Sequence, residues 1–170
     1  MLEELKNNSI VTFGHFTLKS GKETNVYINI KKVISYPKIH LQICKEIAKL
    51  IKPNMDSICG TPYGAISFAS YISIDKNIPM IFLRKERKEY GTKKLIEGHY
   101  KKGNSVILIE DVVTTGASLF LAADKLIEEG LVIKQIISVF SRAENKEMKY
   151  KDIPIQYLYH SDDLELAELS

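Results

Sequence analysis

The chain has 170 residues, 45% hydrophobic and 26% charged, with a formal net charge of +3. This composition excludes disordered and collagen-like classes, and no apolar run is long enough to span a membrane; it predicts one domain over residues 1–170 with a sizeable core. The start, Met1-Leu-Glu-Glu-Leu-Lys, lacks the basic and apolar regions of a signal peptide, so a cytoplasmic protein is expected. Cys44 and Cys59 have neither metal-ligand spacing nor a disulfide framework and are expected as buried thiols.

In chain order, Leu2 to Asn8 reads as a short helix. Phe13 to Ile30 alternates and is punctuated by a turn at Lys19-Ser-Gly-Lys22, with Val26, Ile28 and Ile30 on one side of a strand. Pro37 opens a helix whose apolar positions are Ile39, Leu41, Ile43, Ile47, Leu50 and Ile51, and Pro53 stops it. Ser57–Gly60 is a short strand, Thr61-Pro-Tyr-Gly64 a turn, Ala65–Ser73 a helix and Pro79–Leu83 a strand. A charged loop from Arg84 to Gly103 follows. Val106–Ile109 is a buried strand, and Leu119, Ala122, Ala123, Leu126 and Ile127 mark one face of a helix. Strands at Ile133–Phe140 and Ile153–Tyr159 close the chain. Strands alternating with helices predict an α/β fold with a central parallel sheet flanked by helices. The N-terminal strand, within about residues 1–35, forms a small hood with the C-terminal tail.

The positive charge is concentrated. Residues 84–102 hold eight basic and three acidic side chains, a net +5, and the rest of the chain is net −2. Alone, such a stretch is ordinary solvated surface. Its glycines and its place between two strands, at the ligand edge, point to a polyanionic ligand rather than a generally basic protein, and no nucleic-acid partner is expected.

The most specific segment is Val106-Ile-Leu-Ile-Glu-Asp-Val-Val-Thr-Thr-Gly-Ala-Ser118. Its apolar strand is expected to end at two carboxylates, Glu110 and Asp111. A turn of small and hydroxyl residues leads into a helix. Backbone N–H groups of such a turn favour a phosphate, and Gly116 admits it closely. The carboxylates would repel that phosphate, so they call for hydroxyl groups, a metal ion, or both. A ribose 5-phosphate meets both demands. Neither G-x-x-x-x-G-K-[ST] nor G-x-G-x-x-G occurs. The four histidines form no metal-ligand grouping.

Val106–Ser118 resembles the phosphoribosyl diphosphate (PRPP) motif of type I phosphoribosyltransferases. Three further segments narrow the likeness: Phe16-Thr-Leu-Lys-Ser-Gly21 with Tyr27-Ile-Asn29, Gly60-Thr-Pro-Tyr-Gly-Ala65, and Arg84-Lys-Glu-Arg-Lys-Glu-Tyr-Gly-Thr-Lys-Lys-Leu-Ile-Glu-Gly98. In this order they resemble the orotate phosphoribosyltransferase family, over about Phe13 to Arg142. The likeness is greatest to the phosphoribosyltransferase half of the bifunctional enzyme that makes UMP.

The resemblance implies transfer of ribose 5-phosphate from PRPP to orotate, with Mg²⁺ bound mainly through PRPP and water and no direct protein ligand. It implies Lys19, Arg84, Lys85, Lys88 and Tyr90 at the diphosphate, with Tyr63 and Gly64 on the loop that cradles it. Glu110 and Asp111 would hold the ribose hydroxyls. The 5-phosphate would lie on Thr114, Thr115, Gly116, Ala117 and Ser118, with Val112 and Val113 leading in. Lys19, Lys85, Lys88 and Asp111 are the implied catalytic residues. Orotate would meet Tyr27, Ile28, Thr114 and Arg142. A homodimer sharing loop 84–98 is implied. The chain departs from the pattern at Tyr90, where many bacterial members carry His, and at Gly64, where many carry Lys. Three alternatives stay open: transfer to another base, a PRPP-sensing regulator, and a subunit working beside a separate decarboxylase.

Overall fold

A computed structural model describes residues 1–17, 21, 23–84 and 95–164. Helix α1 (Leu2–Asn7) leads to strands β1 (Val11–Thr17) and β2 (Glu23–Ile28), which pair antiparallel as a separate two-stranded sheet, the hood. The alternation predicted a strand to Ile30. Instead Ile30–Ser35 is a 3₁₀ helix, and Ile30 and Val33 turn into the core. Pro37 at the first position then starts α2 (Pro37–Leu50), since proline's fixed φ suits a first turn that needs no N–H donor.

The main elements are β3 (Ser57–Gly60), α3 (Ile66–Lys76), β4 (Met80–Leu83), β5 (Ile96–Glu97), β6 (Ser105–Val113), α4 (Ala117–Glu128), β7 (Val132–Ser141), β8 (Lys149–Tyr150) and β9 (Ile153–His160). The seven-stranded sheet has the order β5-β4-β3-β6-β7-β9-β8. The five inner strands pair parallel as expected, and the two-residue edge strands β5 and β8 pair antiparallel. Of these, β5 falls inside the segment predicted as a charged loop, and β8 in a segment given no element.

The apolar run of β6 reflects burial on both faces. Ile107 and Ile109 join a cluster with residues of α2, α3 and the hood, while Val106 and Leu108 join one with residues of α4. The first cluster, which includes hood residues, also takes in Leu164. Helix α2 rests on α3, with His40 edge-on to Phe68 at 4.9 Å. Not every predicted apolar position is inside: Leu41 on α2 and Ile127 on α4 are exposed. Cys44 and Cys59 are free and buried, and burial pushes both thiols up to about 12. Among the described residues no helix is long and apolar enough to cross a membrane.

Candidate active site

From β3 the chain runs through α3 to β4 on one side of the sheet order, and from β6 through α4 to β7 on the other. The order therefore reverses between β3 and β6. Such a switch point opens a crevice beyond the carboxyl ends of the strands. A cavity of about 480 Å³ lies there. Its wall includes Thr61 and Pro62 after β3, Leu83 and Arg84 at the end of β4, Glu110–Val112 of β6, and Ser118 on α4.

Glu110 and Asp111 belong to β6 itself, not to a loop after it. The ladder with β3 stops at Ile109, but the ladder with β7 continues to Val113 opposite Ser141. That longer pairing overturns the strand end expected at Ile109. Glu110 is 5% exposed. Its Oε1 accepts from the Thr61 hydroxyl at 2.7 Å and from the Asp111 N–H at 2.9 Å. Burial, then a hydrogen bond with the Asp111 side chain, pushes the Glu110 carboxyl up to about 8, against the lowering effect of Thr61. Asp111 is half-buried, and its Oδ1 accepts the Val112 N–H at 2.8 Å. The two acids thus differ: both line the cavity, but Glu110 is held inside and inclined to keep a proton, while Asp111 is half-buried.

The turn from β6 into α4 runs Thr114-Thr115-Gly116. Gly116 caps the helix with φ 81° and no side-chain cap bond, and Thr115 Oγ1 accepts the Ala117 N–H at 3.4 Å. The first turn of this twelve-residue helix holds no acidic residue. Its free N–H groups suit an anion. A Cβ at Gly116 would carry a positive φ and approach Phe120 Cζ to 2.7 Å. Gly116→Ala should therefore lower stability by about 1–2 kcal/mol and weaken phosphate binding, read by thermal melting and by titration with ribose 5-phosphate. Wild-type values in both would refute this role for the turn.

Arg84 lies on the cavity wall, its Nε bonded to Glu97 Oε1 at 2.6 Å and its N–H to Leu95 O at 2.8 Å. These bonds tie the two ends of the 85–94 segment together. Tyr63 is exposed on the loop before α3, and Gly64 abuts Asp111. Neither is part of the cavity wall. Tyr27 and Ile28 sit in the hood on β2, with the Tyr27 ring 5.5 Å from Phe16. Arg142 follows β7, and its N–H reaches Val113 O at 2.8 Å, beside the end of β6. Lys19, Lys85, Lys88 and Tyr90 lie outside the described residues. The structure adds Lys31, Thr61 and Lys125 to the wall. Lys125 could have been found in sequence: with Ser118, Leu121 and Ala122 it makes a helical face at spacings of three, four and seven. Nothing local marks Lys31, and Thr61 lies in the segment Gly60–Ala65 already singled out but was given no role there.

A cavity at a sheet switch point, with an acidic pair beside an anion-suited helix start, is an arrangement that suits a sugar phosphate in an α/β protein. The phosphoribosyl transferase domain model matches residues 36–158. Orotate phosphoribosyltransferase from Pyrococcus horikoshii is 44% identical over 141 residues, 81% of this chain and 76% of that one. The structure of Leishmania donovani UMP synthase is 34% identical with a TM-score of 0.81, covering 96% of this chain and 36% of that one. Orotate phosphoribosyltransferase from Aeropyrum pernix shares the fold, with a TM-score of 0.84 at 21% identity over 99% and 98% of the two chains. The chain belongs to the phosphoribosyltransferase family and, within it, to the orotate phosphoribosyltransferases.

Proposed function

We propose that this protein transfers the ribose 5-phosphate of PRPP to orotate, giving orotidine 5′-monophosphate and diphosphate in pyrimidine biosynthesis. The observation that carries the proposal is the acidic pair of β6 set beside the open start of α4, in a chain of this family. The turn 114–118 takes the 5-phosphate, and Glu110 and Asp111 take the ribose hydroxyls. Tyr27, Ile28, Thr114 and Arg142 take orotate, Arg142 by pairing with its carboxylate. Tyr63, Gly64, Arg84, Lys19, Lys85, Lys88 and Tyr90 serve the diphosphate.

Two adjacent carboxylates on the cavity wall suit a hard divalent cation in front of them. Mg²⁺ would be held by diphosphate oxygens and water, and would neutralise the leaving group. As the bond from C1 to diphosphate lengthens, ribose gains positive charge, which the acidic pair stabilises. Lys19, Lys85 and Lys88 offset the charge gathering on diphosphate. Orotate is already an anion and needs little base assistance. Closure of segment 84–98 would exclude water from this step. The protein acts in the cytoplasm as a homodimer sharing that segment, and light scattering of the purified chain tests the dimer.

The test is a spectrophotometric assay of orotate loss with PRPP and Mg²⁺, with Lys88→Ala alongside. Mg²⁺-dependent turnover that falls sharply in the variant is the expected result. Diphosphate release with another base alone would move the substrate, and PRPP binding without turnover would favour a regulator. Similarity to UMP synthase supports a decarboxylase as partner. Co-purification tests that association.

A further inference from the structure

The loop joining β3 to α3 touches both acids of β6 across the switch point. Thr61 is 4% exposed, and its N–H donates to Ile109 O at 2.9 Å. Its hydroxyl donates to Glu110 Oε1 at 2.7 Å. Three residues on, Gly64 leaves open the space where Asp111 lies: a Cβ at 64 would overlap Asp111 Oδ2 and come within 2.6 Å of its Cγ. One short loop therefore fixes the position of one carboxylate by a bond and of the other by an empty space. The pairing of β3 with β6 does not accomplish this, since that ladder ends before the acids.

We propose that Thr61 and Gly64 are positioning residues for ribose, setting Glu110 and Asp111 in the geometry that receives the two ring hydroxyls. The inference rests on the ribose role given to the acidic pair above. A hydroxyl at 61, itself 4% exposed, supplies an oriented donor to a carboxyl that is 5% exposed. Without it, the carboxyl is free to turn toward Asp111, its other neighbour, and away from ligand. Any side chain at 64 forces the Asp111 carboxylate out of its present place. The glycine that departs from the family pattern thereby acquires a local reason.

The test compares wild type with Thr61→Val, Thr61→Ser and Gly64→Ala. Ribose 5-phosphate is titrated calorimetrically, and KM for PRPP and for orotate is measured separately. Thr61→Val, which keeps shape but not the donor, is expected to weaken ribose 5-phosphate and raise KM for PRPP about tenfold, with KM for orotate unchanged. Gly64→Ala should act in the same direction. Thr61→Ser should lie within about twofold of wild type, because the donor is restored. A merely structural role would lower the active fraction and leave both KM values alone. Wild-type affinity in Thr61→Val, or equal damage in the Val and Ser variants, would overturn the proposal. Wild-type protein that binds ribose 5-phosphate but does not consume orotate removes the base assignment and leaves this test intact. Wild type that fails to bind ribose 5-phosphate overturns both.

Discussion

Replacing Glu110 with glutamine is expected to raise the melting midpoint of the free protein at pH 9 by roughly 5–10 °C while lowering kcat/KM for PRPP by about 10². Both effects come from one buried carboxyl. Its folded value, pushed up to about 8 by burial and by Asp111, exceeds the ordinary 4.5 that it recovers on unfolding. The folded protein therefore holds this proton more tightly. The associated stability is fully present below pH 4.5 and is lost as pH rises through about 8. The linkage amounts to roughly 3–5 kcal/mol over that span. Glutamine imitates the protonated acid: its oxygen accepts from Thr61 and the Asp111 N–H, and its amide donates to Asp111 at every pH. The melting difference should be small near pH 5, grow as pH rises to about 8 and level off above it. Above about pH 8, where the wild-type carboxyl is ionised, the same neutrality removes negative charge where ribose becomes positive, hence the loss of rate there. Equal melting curves at pH 9, or a variant as active as wild type, would refute this account.

Gly60→Ala is expected to destabilise the fold by roughly 3 kcal/mol or more, a fall in melting midpoint of about 10 °C. An added Cβ would lie 2.7 Å from Ala65 O and 2.9 Å from both Ala65 C and Ile66 Cα. All three are backbone atoms, so no side-chain rotation relieves the contact. Either β3 moves, breaking its registers with β4 and β6, or α3 moves, taking the Thr61–Gly64 loop with it. A drop of less than about 2 °C in a thermal scan would mean that β3 and α3 are not in this close contact.

Much of this arrangement was legible in the sequence. The apolar run at 106–109 and the periodicities of α2 and α4 are strong local signals, and they located the sheet centre and its flanking helices. The Gly-punctuated turn after Val113 located the helix start that suits an anion. Local pattern failed where pairing partners decide the outcome. Strand β6 runs past Glu110 because β7 offers a longer ladder, and β7 lies more than twenty residues away. Strands β5 and β8 are two residues long, too short for any period to register. Ile30 keeps the alternation yet turns with the 3₁₀ helix to bury itself. Leu41 and Ile127 are apolar but exposed, and periodicity does not distinguish a core face from a sticky surface position. The bond from Thr61 to Glu110 spans 49 residues, and only the topology brings the two together.

Because the two acids sit within a paired strand, the ribose end of the crevice is built before any ligand arrives. Amide hydrogens near the end of β6 should exchange slowly even in the free protein, in contrast to those of the exposed turn beyond it. A rigid seat of this kind places no conformational demand on the incoming sugar. Under the proposed roles, the hood can change to suit a different base while the sugar seat, locked into the sheet, stays as it is.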